Sequence, residues 1–468
     1  MVMSRWGEDR QRELFVATDR VSQAPRHVFY EKLNGLLREA GFDRWVEGLC
    51  EEFYSDRGRG SIPPGRYFRM LFVGYFEGID SQRGIAWRCD DSLSLKVFLN
   101  LEPFDEAPDH SSLTKIGDRL PTEVYREVFQ FVLRMVHERG LLKGQTVGVD
   151  STLLEANAAM KSIVRKDSGD DWEEYLKKLA AVEGRELKSK AELIRFDKER
   201  NKTDGGKKVS NADWQSPSDP DARIAKMKDG TTHLAYKAEH AVDLDTEVIL
   251  AAEVSFGDQA DSATIEDTLS LAGGQVVEVT QGASQMKETV ADKGYHKAET
   301  LARLSDRSDS CRDTADSSSA TNLGLRTYIA EPDAKHHRRW TDKPPEWEAA
   351  YRANRRRTRG SRGKALQRRR SEVVERSFAH VCETGGARHT WLRGLTKITK
   401  RYQLQTAAHN LGLILRQLLG AAKPRAFAAC FTVLRTLKRD LPASRRCLKT
   451  FRHPTLPKFQ NLNPAMAT

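Results

Sequence analysis

Apolar residues recur with helical spacing over the first third of the chain, from about residue 27 to residue 139. The clearest stretch, PTEVYREVFQFVLRMVHERG, has a single apolar face made up of Val124, Val128, Phe131 and Met135. Gly140, which ends this stretch, is a typical helix stop. The pattern predicts an all-helical domain over residues 27–140, preceded by an N-terminal tail of residues 1–26.

The pattern then changes to short runs that are typical of β-strands. The run TVGVDSTLLEANA predicts a strand that ends on Asp150, and HLAYKAEHAVDL and EVILAAEVSF predict a hairpin. After a helical stretch, ETVADKGYH predicts a strand closing on Asp292, and LRTYIAE predicts another strand. The order is strand, hairpin, helix, strand, helix, strand. We therefore predict a mixed α/β domain over residues 141–420.

Two segments of this domain differ from the rest in composition. Residues 161–228 are polar and rich in Gly, Asn, Ser and Pro toward their end, which predicts an insertion containing one helix. Residues 335–370 contain fourteen Lys or Arg and three acids, a surplus of eleven that equals the net charge of the whole chain. A basic C-terminal tail is predicted for residues 421–468. This charge distribution indicates a polyanionic partner such as DNA, because a protein that neutralises phosphates gains from counterion release.

Other features narrow the class of protein. The sequence lacks an apolar run long enough to span a bilayer, and its start lacks the apolar stretch of a signal peptide. The six cysteines are scattered, which favours reduced thiols over a zinc site or disulfides. We expect a cytoplasmic protein with no membrane partner and no small-molecule substrate.

Candidate chemistry lies at the predicted strand ends. Asp150 and Asp292 each follow an apolar strand run, so both could project from neighbouring strands. Two divalent metal ions held by a few carboxylates can supply what phosphodiester cleavage needs. The third acid is Glu372 or Glu375, both on the predicted helix of RRRSEVVERSFAHV. Glu375 lies on the shoulder of the buried stripe around Val374, so we prefer it to Glu372.

Further residues are candidates for DNA contact. Tyr295 and His296 could orient a phosphate or a metal-bound water, or could cap the turn after Asp292. Trp340 could stack on an extruded base or anchor a loop. Asp258 and Asp261 are interpreted as a loop acid and a helix N-cap. The arginines predicted to contact the DNA backbone are Arg355, Arg356, Arg357, Arg368, Arg369, Arg370 and Arg376.

Four motifs occur in an order that resembles a known family. They are DHSSLTKIGDRL, GVDSTLLEANA, ADKGYH and VERSFAHVCETGGARHTWLRGLTKITKRYQLQTAAHNLGLILR. Together they resemble the DDE transposases of bacterial insertion sequences. The resemblance implies a ribonuclease H-like catalytic domain after the helical domain. The helical domain would recognise element ends or mediate assembly.

The resemblance also implies a site and a reaction. Asp150, Asp292 and Glu375 would bind two Mg²⁺ or Mn²⁺ ions, cleave the element at its terminal inverted repeats and join the freed 3′ hydroxyl to target DNA. Such an enzyme would act as a homodimer on DNA, in association with the bacterial nucleoid. Many relatives have Tyr, Arg and Lys around the helix glutamate, at positions that here hold Arg368, Ser371 and Cys382.

Two alternatives remain open at this stage. One is a two-metal nuclease that cuts DNA without joining it. The other is a non-catalytic DNA-binding protein derived from a transposable element, in which the acids no longer function.

Overall fold

The computed structural model describes residues 27–55, 60–203, 211–227, 230–305, 324–332, 338–420 and 422–424. The predicted N-terminal tail, nearly all of the predicted C-terminal tail and the Ser- and Asp-rich stretch after Ser305 lie outside these residues, as does the start of the basic segment.

The N-terminal region is helical, as predicted. Gly140 follows the last of its helices with a φ of 70°, a left-handed conformation that glycine adopts readily. Buried aromatic residues such as Phe68, Phe72 and Phe129 fill the space between the helices. The described helices are α1 (Val28–Glu39), α2 (Phe42–Cys50), α3 (Pro64–Glu77), α4 (Gln82–Asp91), α5 (Leu93–Phe98), α6 (His110–Arg119) and α7 (Thr122–Glu138).

A mixed sheet follows. The described strands are β1 (Thr146–Glu155), β2 (Val164–Arg165), β3 (Trp214–Gln215), β4 (Arg223–Lys226), β5 (Thr232–Asp243), β6 (Ile249–Phe256), β7 (Glu288–Ala291) and β8 (Arg326–Ile329). The main sheet has the order β6-β5-β1-β7-β8, and β4 pairs with the first residues of β5. β5 is antiparallel to β1 and β6, whereas β1, β7 and β8 are parallel. This mixed α/β architecture agrees with the predicted ribonuclease H-like domain.

The structure corrects two details of the strand and helix predictions. β1 does not end on Asp150 but continues to Glu155, because β5 pairs with it along its whole length. The described part of the polar insertion contains two helices and not one, because Gly184 lies between them with a φ of 71°. The remaining helices are α8 (Trp172–Val182), α9 (Lys190–Thr203), α10 (Asp261–Val279), α11 (Ala298–Ser305), α12 (Pro345–Arg359), α13 (Ser361–Phe378) and α14 (Leu395–Leu419).

At both edges of the main sheet, an asparagine on a covering helix forms hydrogen bonds with the backbone of the edge strand. The fully buried amide of Asn410 in α14 accepts from Ile249 N at 3.0 Å and donates to Ile249 O at 2.8 Å. At the other edge, Asn354 in α12 makes the same pair of bonds to Ile329, each 2.9 Å long. An edge strand exposes unpaired backbone groups, and these asparagines satisfy them.

α14 also joins the helical region to the sheet. The described residues up to Pro424 form one compact unit, and the buried residues of the helical region and the main sheet belong to one core. Gln403 in α14 donates to Ala252 O of β6, while Lys400 donates to Gly117 O of α6 at 3.1 Å. None of the helices in the described part of the chain has the length and apolar character needed to cross a membrane.

A buried histidine in α14 makes the fold sensitive to acid. Burial, and next the charges of His380 and Lys423, lower the pKa of His409 to about 3. The unfolded chain takes up this proton near pH 6.5, so stability is complete above that pH and is lost as the pH falls. The free energy of unfolding should decrease by about 1.4 kcal/mol per pH unit from this group.

Urea titrations of the wild type and His409→Gln at pH 7, 6 and 5 test this prediction. The stability difference between the two proteins should shift in favour of the variant as the pH falls. A difference that stays constant over the three pH values would contradict it.

Candidate active site

The two predicted aspartates lie side by side in the sheet. β1 and β7 are parallel neighbours, and Val149 pairs with Ala291. Asp150 and Asp292 each come directly after this pair, so they occupy equivalent positions on adjacent strands. Burial raises the pKa of Asp150, and the negative charge of Asp292 adds to this rise.

Asp150 is held by a buried arginine. Arg370 Nη1 lies 2.7 Å from Asp150 Oδ2, and Ser151 N donates to Asp150 Oδ1 at 2.8 Å. Burial raises the pKa of Asp150, while the guanidinium of Arg370 counteracts this rise. Arg370 Nε is buried and has no hydrogen-bond partner among the described residues. The arginine therefore pairs with Asp150 through Nη1 and leaves its buried Nε unused.

α13 crosses one face of the sheet above these carboxylates. Gln367 Nε2 donates to Ala291 O at 3.1 Å, next to Asp292, and Ser377 Oγ lies 2.9 Å from His240 Nδ1 on β5. Between these anchors, Val374 packs on Gly148 of β1. The helix thus runs across β7, β1 and β5.

The close approach of α13 depends on Gly148. A Cβ at this position would lie 2.5 Å from Leu244 Cδ2 and 3.0 Å from Val374 Cγ2. Gly148→Ala should therefore lower the free energy of unfolding by about 1–3 kcal/mol, measured by urea denaturation. Gly274→Ala is the control, because Gly274 is exposed in α10 with nothing within 4 Å of the added Cβ. The control should be neutral or stabilising, and equal losses in both variants would contradict the packing argument.

The flanks of α13 distinguish its two glutamates. Arg369 donates to Leu244 O at 3.0 Å, and Arg376 pairs with both Glu247 and Glu372. Leu244 and Glu247 belong to the turn between β5 and β6, at the end of the sheet where β1 begins. Glu372 therefore lies on the flank that faces away from the two aspartates.

Glu375 lies on the other flank. At about 100° per residue, it shares a face with Ser371, whose Oγ donates to Glu375 Oε1 at 2.9 Å. This is also the flank of Gln367, which contacts β7 beside Asp292. Glu375 is exposed on this flank, whereas Glu372 lies on the flank of Arg376 and the β5–β6 turn.

The carboxylates suit a hard divalent cation, since Mg²⁺ and Mn²⁺ prefer oxygen ligands. Asp150 and Asp292 meet this requirement on adjacent rigid strands. Among the residues that the structure describes, however, no three His, Cys, Asp or Glu side chains are grouped as a metal site requires. Glu375 is bonded to Ser371 and Asp150 to Arg370, so these two carboxylates would have to exchange partners for three acids to share an ion.

Two family models match the chain on either side of β1. One, described as "Transposase domain (DUF772)", matches residues 18–119, and the other, described as "Transposase DDE domain", matches residues 287–415. The chain is a DDE transposase of the insertion-sequence type. No curated protein and no solved structure matches it. The DDE match contains Asp292 and Glu375 of the transposase, whereas Asp150 lies outside both matches and is connected to the site by its pairing with β7.

The seven arginines predicted to contact DNA fall into two groups. Arg356 and Arg368 are exposed on α12 and α13 of the transposase. The other five contact protein groups: Arg357, for example, donates to Thr327 O and Thr327 Oγ1, each at 2.9 Å. The remaining members of this second group are Arg355, Arg369, Arg370 and Arg376.

The aromatic residues and the histidine predicted to contact DNA are buried or half-buried in the transposase. Tyr295 is 1% exposed, and its hydroxyl donates to Glu239. His296 is buried edge-on against Tyr351 with ring centroids 5.5 Å apart, and Trp340 is half-buried against the same tyrosine at 5.1 Å. Trp340 therefore packs against Tyr351. Neither nitrogen of His296 has a hydrogen-bond partner among the described residues.

Sequence reasoning missed several residues at this site. Lys293 and Lys297 are exposed and flank the turn after Asp292, and their place in ADKGYHK could have indicated a basic rim. Gln367 directly precedes three arginines, and the local sequence does not distinguish it as a site residue. Asp261 is not the predicted N-cap of α10, since Ala260 occupies that position. Asp261 instead contacts Ser151 and Lys237, because its carboxylate points under the sheet.

Proposed function

We propose that this transposase cleaves DNA at the ends of a mobile element and joins the freed ends to target DNA, with two Mg²⁺ or Mn²⁺ ions held by Asp150, Asp292 and Glu375. The observation that carries the proposal is the placement of Asp150 and Asp292 at equivalent positions of adjacent parallel strands, under a helix that presents Glu375. The family match of the segment containing Asp292 and Glu375 supports it.

The reaction comprises two phosphoryl transfers. Hydrolysis breaks the P–O3′ bond at the element end and leaves a 3′ hydroxyl. This hydroxyl then attacks a phosphodiester of the target, so one ester is exchanged for another. Metal ions bound at the three acids would activate the attacking oxygen and neutralise the leaving one.

The protein groups have separate tasks in this proposal. Asp150, Asp292 and Glu375 supply oxygen ligands from two strands and one helix. Arg370 neutralises Asp150 before the ions bind. Tyr, Arg and Lys are absent from the positions they occupy in many relatives, so exposed cations near the site, such as Lys293 and Arg368, would have to supply the phosphate contacts.

The DNA backbone would lie along the basic rim of this site. Lys293 and Lys297 lie beside Asp292, and Lys364, Arg356 and Arg368 are exposed on the two helices of the basic segment. These cations do not read sequence, since phosphate contacts position a duplex and do not specify it. Two element ends must be cut together, so we expect a homodimer on DNA, acting on the bacterial nucleoid.

Purified protein incubated with labelled element ends, a supercoiled target and Mg²⁺ separates the possible functions. A transposase should cut the ends and insert them into the target. A nuclease would release ends without insertion, and a non-catalytic DNA-binding protein would shift the labelled DNA without cutting it. Either of the last two results would contradict the proposal.

A further inference from the structure

A buried polar network lies under the two aspartates, on the face of the sheet opposite α13. It begins at two residues that closely follow the aspartates along the chain, Ser151 after Asp150 and Tyr295 after Asp292. It continues into β5 and the first turns of α10, and its members there are Lys237, Glu239, Asp261, Thr264 and Thr268.

One branch starts at Ser151. Its Oγ donates to Asp261 Oδ1 at 2.9 Å, and Lys237 Nζ lies 2.9 Å from the same carboxylate oxygen. Lys237 Nζ also donates to Gln259 O at 3.2 Å. The hydroxyl next to Asp150 is therefore held by an ion pair between the buried Lys237 and the partly exposed Asp261.

The other branch starts at Tyr295. Its hydroxyl donates to Glu239 Oε1 at 2.8 Å, and Thr264 Oγ1 donates to the same oxygen at 2.9 Å. Thr268 donates to the second oxygen of Glu239. Lys237 Nζ donates to Thr264 Oγ1 at 3.0 Å and so connects the two branches.

The turn after Asp292 packs directly on this network. A Cβ at Gly294 would lie 2.5 Å from Asp261 Oδ2. Gly294 does not have a positive φ, so the glycine is required here for space and not for backbone conformation. Asp261 thus contacts the residue after Asp150 and also the turn after Asp292.

Placing charged groups in this part of the core is energetically unfavourable. Lys237 and Glu239 are 3% and 2% exposed, and burying charged groups carries a desolvation penalty that an apolar pair of similar size avoids. A buried charge network does, however, fix geometry, since each hydrogen bond constrains the direction of its partners. Its location beneath two metal-binding residues indicates which geometry it fixes.

We propose that Tyr295, Glu239, Lys237 and Asp261 are positioning residues that set the separation and orientation of Asp150 and Asp292 for metal binding. The inference rests on the proposed function, since it assigns metal ions to the two aspartates. It predicts that loosening the network weakens metal binding before it affects DNA binding.

Tyr295→Phe tests this inference by removing one hydroxyl and no charge. The fold offers a matched control in Tyr30→Phe, because Tyr30 is 2% exposed and its hydroxyl also donates to a carboxylate, Glu77 Oε1, at 2.8 Å. Both variants should lose a similar amount of thermal stability. Binding of Mn²⁺ to the DNA-free protein, followed by electron paramagnetic resonance, should weaken about tenfold or more in Tyr295→Phe alone.

The results for Asp292→Asn and Tyr295→Phe test the metal site and the positioning role separately. If the wild type binds Mn²⁺ in a manner that Asp292→Asn abolishes, and Tyr295→Phe binds it equally well, the positioning role is wrong and the proposed function stands. If Asp292→Asn does not affect Mn²⁺ binding by the wild-type protein, the proposed metal site is wrong, and the inference fails with it. Should Tyr295→Phe not fold, Ser151→Ala tests the other branch by the same criterion.

Discussion

Replacing Asp292 with asparagine is expected to lower Mg²⁺-dependent cleavage of element ends by about a thousandfold or more, which is typical for the loss of a residue essential to the chemical step. Asparagine keeps the size of the side chain but removes the charge that a divalent cation requires. Because Asp292 lies after the last residue of β7 and not within the core, the fold and DNA affinity should change little. Gel assays of cleavage and of DNA binding, run on the same preparation, measure both effects.

Asp258→Asn is the matched control for this change. Asp258 is an exposed acid in the loop between β6 and α10, so its replacement alters the charge equally without touching the site. The control should cleave at the rate of the wild type. Cleavage that survives in Asp292→Asn would show that the catalytic acid lies elsewhere.

The second large effect is expected from Glu375→Gln, with Glu372→Gln as its comparison. The two glutamates are three residues apart on α13, but Glu372 pairs with Arg376 on the flank that faces the β5–β6 turn. Glu375 lies on the other flank, which it shares with Ser371 and with Gln367, whose amide contacts β7 beside Asp292. Glu375→Gln should therefore reduce cleavage by about a hundredfold or more, while Glu372→Gln should stay within a few-fold of the wild type.

Rate measurements at saturating Mg²⁺ and DNA decide between the two glutamates. A large loss in Glu372→Gln together with full activity in Glu375→Gln would reverse the assignment of the third acid. Equal and small losses in both variants would leave Asp150 and Asp292 without a ligand from α13 and would contradict the three-acid site.

Local sequence patterns predicted the strands whose apolar runs are continuous along the chain. The hairpin of β5 and β6 and the short strand before Asp292 were visible as apolar runs, and they are confirmed. The end of β1 was predicted wrongly at Asp150, because the strand continues for as long as β5 provides a partner. A short run of sequence around Asp150 cannot indicate that this residue pairs with His240, which lies far away along the chain.

The same limit applies to the site. Asp150 and Asp292 could be proposed from the ends of apolar runs, but only the sheet shows that they are neighbours. Asp261 looked like a helix N-cap, because an acid at the start of a helical pattern is typical of one. Its contacts with Ser151 and Lys237 depend on residues far away in sequence, as does the role of Arg370 beside Asp150.

The central claim is that Asp150, Asp292 and Glu375 hold the metal ions, and diffraction from crystals grown with Mn²⁺ and DNA ends tests it most directly. The account predicts anomalous peaks about 2.1 Å from carboxylate oxygens of Asp150 and Asp292, with Glu375 turned away from Ser371 toward an ion. Anomalous peaks elsewhere, with the pair between Arg370 and Asp150 unchanged and Glu375 still bonded to Ser371, would contradict it.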